Sequence, residues 1–237
     1  MTDNITNRWA WFDLDDTLWN FSQNSLLTLH EIYPIFKLDR YWSDVNSWID
    51  DYHAANSALW RRYERGEVDT ATLRVERFSQ PLSGAGYDGD DILAFSKELD
   101  TRYLSMLGAK SLTVHGAREL LERARRLGYH VGVLSNGFSD VQYNKLKNSG
   151  LDRYVERVVL SEEVGYNKPD RRIFDCACQM VGATAADSIM VGDNPSTDIA
   201  GAVSAGWRAI WFNPNHIDSP VPAGVLVVDS LDKIFAD

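Results

Sequence analysis

The 237-residue chain is short of basic residues, of cysteine and of long apolar runs. Lysine and arginine number 24 against 34 acids, a net charge of −10. Duplex nucleic acid and anionic membrane surfaces are held by clustered cations, so neither is the expected partner. The deficit still admits a small phosphorylated ligand, because a bound metal reverses the sign of the charge locally. The two cysteines, Cys176 and Cys178, stand two apart in a helical-looking segment and so face different sides of it. That spacing argues against a disulfide between them, and two thiols alone make a poor metal site. Reduced thiols and a cytoplasmic location are expected. No apolar stretch approaches the length of a membrane span. Residues 1–8 lack the basic start and apolar stretch of a secretion signal. No internal repeat and no low-complexity segment occurs.

What is present is enough apolar material, 44% of residues with 11% aromatic, for one large core or a core plus a smaller insert. Its organising stretch is Trp9-Ala10-Trp11-Phe12, which runs into Asp13, Asp15 and Asp16. A short unbroken apolar run of this kind predicts a strand buried on both faces. Extended backbone turns Asp13 and Asp15 to the same side. Acids clustered at the end of a buried strand repel one another unless a cation offsets them, which marks a site. The alternative is a solvated acidic turn.

From Phe21 to about Lys110 the periodicity is helical. Segments starting near Ser25, Ser43, Asp69 and Asp88 each carry an apolar face, with Pro81 expected to close the third and Gly108 the fourth. This block reads as an all-helical insert whose aromatic stripes are packing core. From Val114 onward helices and strands alternate. Strands are expected at 129–134, 157–160, 188–191 and 207–212, with a last one at 225–228 and a helix at 230–235. Helices are expected at 117–127, 140–149, 171–181 and 196–205, followed by Gly128, Gly150, Gly182 and Gly206 at left-handed positions. The alternation predicts an α/β fold with a parallel sheet, which the strand at residues 9–13 must join. The expected domains are an α/β core of residues 1–20 and 111–237 and a helical domain of residues 21–110.

Polar residues recur just past the strand runs: Asp13 after the first, Ser135-Asn136-Gly137 after the second, and Asp193 after Gly192. Ligands of parallel α/β sheets bind beyond the carboxyl ends of the strands. Lys168-Pro169, before a helix that Pro169 could initiate, and Asp198 complete the set. The acidic-turn reading predicts no such convergence.

The series Asp13-x-Asp15-x-Thr17, Ser135, Lys168-Pro169 and Gly192-Asp193-x-x-x-x-Asp198 resembles the four motifs of the haloacid-dehalogenase superfamily. The resemblance covers residues 8–20 and 112–212 and implies a Rossmann-like core. The helical block resembles the superfamily's C1 cap, inserted after the first strand.

The residues themselves suggest roles. Asp13 can attack phosphorus and form an aspartyl-phosphate. Asp15 can protonate the leaving oxygen and then take a proton from the hydrolytic water. Oxygen ligands favour Mg2+, with the Asp13 and Asp193 carboxylates as candidates; the resemblance adds the backbone carbonyl of Asp15. Asp198 is expected to orient the metal shell. Lys168 can offset charge on Asp13 and the phosphoryl group. Ser135, with the amides of Asn136 and Gly137 at a helix start, can hold phosphate oxygens. Thr17 is expected to fix its own loop, and Asp16 to be solvated or capping.

An acid at position 15 resembles the superfamily's phosphatases and phosphomutases rather than its dehalogenases, which lack it. A signalling receiver module uses similar residues, but would leave Phe21–Lys110 unexplained. Within the phosphatases, DDTLWNF (15–21), ALWRRYERGEV (58–68), SNGF (135–138) and SEEVGYNKPDRRIFD (161–175) resemble bacterial pyrimidine nucleotidases. That resemblance implies a nucleoside monophosphate as substrate. Aromatic faces can stack on a base, which makes Trp60 and Tyr63 of the helical block candidate contacts, and Phe138, Trp19 and Phe21, which flank the strand-end site, candidate walls from the core side. A sugar phosphate or phosphoglycolate is the alternative substrate.

Overall fold

Trp9–Phe12 forms strand β1, and all four residues are buried. The computed structural model describes residues 7–236. It divides into two compact units, one formed by the chain up to Phe21 and from Ser111 on, the other by Ser22–Lys110.

The first unit holds a six-stranded sheet in the order β3-β2-β1-β4-β5-β6, parallel throughout. The strands are β1, β2 (His130–Ser135), β3 (Arg157–Leu160), β4 (Ser188–Gly192), β5 (Arg208–Phe212) and β6 (Leu226–Val228). β1 lies at the centre, with Phe12 in register with Val133 on one side and Val191 on the other. The chain fills one half of the sheet with β1 to β3 and the other with β4 to β6. The strand order therefore reverses beside β1, where sheets of this order open a crevice. A central parallel strand is covered on both faces, which is why β1 is apolar at every position. Trp11 packs against Trp9 at 5.1 Å and Trp207 at 5.9 Å between ring centroids.

Helices α5 (Ala117–Arg126), α6 (Ser139–Ser149), α7 (Ser161–Val164), α8 (Arg171–Val181) and α9 (Ala200–Ser204) connect these strands. Gly128, Gly150, Gly182 and Gly206 all take positive φ. Three local expectations need correction. Pro169 does not initiate α8, which starts at Arg171 under an Asp170 side chain that accepts from the Arg172 N–H. The segment expected as one helix at 196–205 opens as a π-turn, Pro195–Ile199, before α9. The last expected helix is a 3-10 turn, Leu231–Lys233. The short α7 gives too few residues for periodicity to register.

The second unit is helical: α1 (Phe21–Ile35), whose first residue, Phe21, still belongs to the first unit, α2 (Val45–Glu64), α3 (Thr70–Gly84) and α4 (Ile92–Gly108). Side chains of Asp44, Asp69 and Asp91 accept from backbone N–H groups at the starts of α2, α3 and α4, satisfying donors that a helix start leaves open. Asp91, not Asp88, therefore sets where α4 begins. Pro81 does not close α3. It sits inside the helix, and both it and Leu82 are buried, so packing holds this turn helical against the proline's missing N–H. The aromatic stripe is packing core, as expected: Tyr52 meets Phe78 at 5.1 Å and Tyr103 at 5.6 Å. Among the described residues, no helix is long and apolar enough to cross a membrane.

An ion pair lies inside this packing. Asp100 Oδ1 accepts from Arg77 Nη2 at 2.5 Å and Nε at 3.1 Å, both side chains being almost fully buried, and Oδ2 accepts from Arg74 at 2.7 Å. Removing one member of such a pair strands the other's charge, a loss of about 3–5 kcal/mol. Asp100→Ala should therefore lower the thermal midpoint sharply, whereas Asp88→Ala on the surface should not. Equal midpoints for the two variants would show that the pair does not hold the helical unit.

Candidate active site

β1 ends by placing Asp13 in the crevice, its N–H donating to Val191 O at 2.9 Å. The Asp13 carboxylate is buried and accepts from Lys168 Nζ at 2.6 Å. The same ammonium donates to Asp198 Oδ1 at 2.6 Å. Asp198 is fixed on its other oxygen, which accepts from Asn194 N–H at 3.1 Å. Gly192 makes room for it: a Cβ there would overlap the Asp198 carboxyl. Asp193 accepts from Thr17 Oγ1 at 3.0 Å, and its backbone carbonyl accepts from Trp211 Nε1 at 2.8 Å. Thr17 thus does more than fix its own loop, since it ties the β1 loop to the β4 loop. Asp16 is the turn residue of that loop, at a φ of 56°, a conformation that aspartate tolerates better than most residues.

Asn136 has a different task from the one its position suggests. Its Oδ1 accepts from the Lys168 N–H at 2.8 Å and its Nδ2 donates to the Lys168 carbonyl at 3.0 Å. The side chain is a two-point clamp on the lysine's backbone, a structural task beside any contact its main-chain amide makes with a phosphate. Ser135 is buried at the end of β2, and its Oγ accepts from Gly137 N–H at 3.1 Å.

The electrostatics follow from two buried carboxylates, Asp13 and Asp198, sharing one ammonium, with the half-buried Asp193 beside them. Burial, with the charges of Asp198 and Asp15 adding to it and Lys168 opposing, pushes Asp13 up to about 7. Burial first, then the charges of Asp13 and Asp198, raises Asp193 well above the usual carboxylate range. Burial alone would lower Lys168, but the Asp13 and Asp198 carboxylates outweigh it and hold the ammonium raised. Among the described residues, no lysine or arginine pairs with Asp193. Asp13, Asp193 and Asp198 offer oxygens that lie within 4.8 Å of one another. Oxygen donors at this spacing, carrying excess negative charge, fit a hard divalent cation.

Asp15 faces a second set of partners. Its carboxylate accepts from Lys145 Nζ at 2.7 and 3.0 Å and from Gln142 Nε2 at 3.0 Å. Lys145 is buried, with its ammonium 4.6 Å from the Trp19 ring centroid and 5.3 Å from that of Phe21. Neither Gln142 nor Lys145 stands out by motif. The available signal was position: both fall on the buried stripe of α6 with Val141, Leu146 and Ser149, where polar side chains need partners. Trp19 is fully buried, with Lys145 against its ring, and Phe138 is also buried. In the helical unit, Trp60 and Tyr63 meet edge to face at 5.5 Å; Tyr63 is buried and Trp60 half-buried.

The haloacid dehalogenase-like hydrolase profile matches residues 8–206, and the chain belongs to that family. It is 30% identical over 213 residues to the pyrimidine 5'-nucleotidase YjjG of Escherichia coli (strain K12), covering 90% of this chain and 88% of that protein. It is equally identical over 213 residues to the pyrimidine 5'-nucleotidase PynA of Streptococcus pneumoniae, covering 90% and 86%. The family and these relatives support phosphatase activity. Among solved structures, the putative HAD-hydrolase YfnB of Bacillus subtilis, bound to magnesium, matches with a TM-score of 0.83 and 25% identity over 96% of each chain.

Proposed function

We propose that the protein is a magnesium-dependent phosphatase acting on nucleoside monophosphates, pyrimidine ones foremost, through an aspartyl-phosphate on Asp13. The observation that carries the reading is the separation of two carboxylates two residues apart. Asp13 lies in the cation-seeking cluster, and Asp15 is held apart by Lys145 and Gln142.

Magnesium would be held by the carboxylates of Asp13 and Asp193 with the Asp15 carbonyl, and would supply positive charge where two anions must approach. Asp198 and Lys168 orient this cluster. In the first half-reaction Asp13 Oδ forms a bond to phosphorus, the bond from phosphorus to the ester oxygen breaks, and that oxygen takes a proton from Asp15, which must enter this step as the neutral acid. In the second, Asp15 takes a proton from water, whose oxygen bonds phosphorus and releases inorganic phosphate and the Asp13 carboxylate. Ser135 and the main-chain amide of Asn136 hold phosphoryl oxygens, the Gly137 N–H being taken by Ser135 Oγ, and Lys168 offsets their charge.

None of these residues reads a base or a sugar, so selectivity falls to residues outside the motifs. Two relatives named as pyrimidine nucleotidases along 90% of the chain favour a nucleotide. Trp60 is a half-buried aromatic of the helical unit, and stacking on a base is worth roughly 1–3 kcal/mol. With magnesium, kcat/KM for dUMP should exceed that for dAMP, glucose 6-phosphate and phosphoglycolate, and Trp60→Ala should reduce the dUMP value by about 5- to 100-fold. A preference for the sugar phosphate or phosphoglycolate would sink the nucleotide reading. Unchanged dUMP selectivity in folded Trp60→Ala would remove Trp60 from the site.

A further inference from the structure

We propose that Gln142 and Lys145, one turn apart on α6, are positioning residues that orient the two groups handling protons and phosphoryl oxygens, Asp15 and Ser135. The inference rests on the phosphatase reading and adds to it residues that the motifs omit.

Gln142 is fully buried, and its Nε2 donates both to Asp15 Oδ2 at 3.0 Å and to Ser135 Oγ at 2.7 Å. One amide therefore spans the proton-transferring acid and the phosphate-binding hydroxyl. A hydroxyl has two acceptor sites and one donor. Ser135 Oγ receives two N–H groups, from Gln142 and from Gly137 at 3.1 Å. Both acceptor sites are used, and the remaining proton can go only to an acceptor, which a phosphoryl oxygen is. Gln142 thus makes Ser135 a donor toward the phosphate.

The other side of Asp15 is held by Lys145, whose ammonium contacts both carboxylate oxygens at 2.7 and 3.0 Å. The lysine in turn is locked between the Trp19 and Phe21 rings and cannot follow a moving carboxylate far. Gripped from Gln142 and Lys145 together, the Asp15 carboxyl has one orientation. Gly137 belongs to the same device: a Cβ there would overlap the Gln142 amide. The glycine of Ser135-Asn136-Gly137 is therefore the space that this amide occupies.

Two aryl esters of nearly equal shape test the proposal. Phenyl phosphate has a basic leaving oxygen that needs the Asp15 proton, while 4-nitrophenyl phosphate has one that hardly does. With magnesium, Lys145→Met and Gln142→Leu should each lower kcat/KM on phenyl phosphate by about 10-fold or more, and on 4-nitrophenyl phosphate by a clearly smaller factor. Gly137→Ala, which keeps both side chains but displaces the amide, should show the same split. Gln142→Leu should also raise the inhibition constant of inorganic phosphate about 10-fold, through the lost orientation of Ser135. Equal losses on both esters, or no loss, in the variants that fold would overturn the positioning role. A wild-type enzyme that hydrolyses neither ester nor dUMP would instead remove the phosphatase reading beneath it.

Discussion

Asp13→Asn abolishes turnover while the protein stays folded. The amide cannot attack phosphorus, and loss of a nucleophile in hydrolases that pass through a covalent intermediate lowers kcat on the order of 10⁴- to 10⁶-fold. The structure explains why the fold should survive. The backbone bond from Asp13 N–H to Val191 O does not involve the side chain, and Lys168 keeps its bond to Asp198. The amide oxygen can still accept from Lys168, and a carboxylate that burial pushes up to about 7 is replaced by a neutral group of the same shape. The measurement is kcat on dUMP with magnesium beside a thermal unfolding curve. Near wild-type hydrolysis by a clean preparation would exclude the aspartyl-phosphate. A collapsed unfolding transition would show that the carboxylate also holds the crevice together.

Asp13 was legible because two physical signals coincide at one place, an apolar run buried on both faces and acids that stop it. Ser135 and Asp193 were legible as polar residues that end the apolar runs of β2 and β4. The parallel sheet followed from alternation alone, although its central strand is separated from the rest by the whole helical unit. What stayed hidden is tertiary. The Asn136 clamp joins residues 32 apart, and nothing local distinguishes it from a phosphate contact. Thr17 reaches Asp193 across 176 residues. Gln142 and Lys145 were overlooked because a helical stripe is found by its apolar members, and polar residues on it pass as solvated. Pro81 misled for a related reason: propensity is a local preference of fractions to a few kcal/mol, and burial in the helical unit overrides it.

The second large effect concerns the cation. Chelated enzyme should lose hydrolysis altogether, and the same buried charges should make its stability depend on pH. Asp13 and Asp193 both have folded values raised above the ordinary 3.8, by burial before anything else. Between that value and the raised one, the folded state binds more protons than the unfolded state, so stability falls as pH climbs. The contribution is complete below about pH 4 and is lost as pH passes about 7 for Asp13 and rises further for Asp193. Metal-free protein should therefore melt lower at pH 8 than at pH 5.5, and magnesium should restore the midpoint most at pH 8, where the carboxylates are ionised and repel. Asp193→Asn separates this from other titrations. It removes a carboxylate that no lysine or arginine pairs with among the described residues, yet its amide oxygen can keep the bond from Thr17. The variant should melt higher than wild type in chelator at pH 8, with a flatter slope between pH 5.5 and 8, and should lose both the magnesium-induced gain and the activity. Full hydrolysis in excess EDTA would overturn the metal assignment. A wild-type midpoint that magnesium leaves unmoved at pH 8, or one that it raises equally in Asp193→Asn, would place the cation somewhere other than the Asp13–Asp193 cluster.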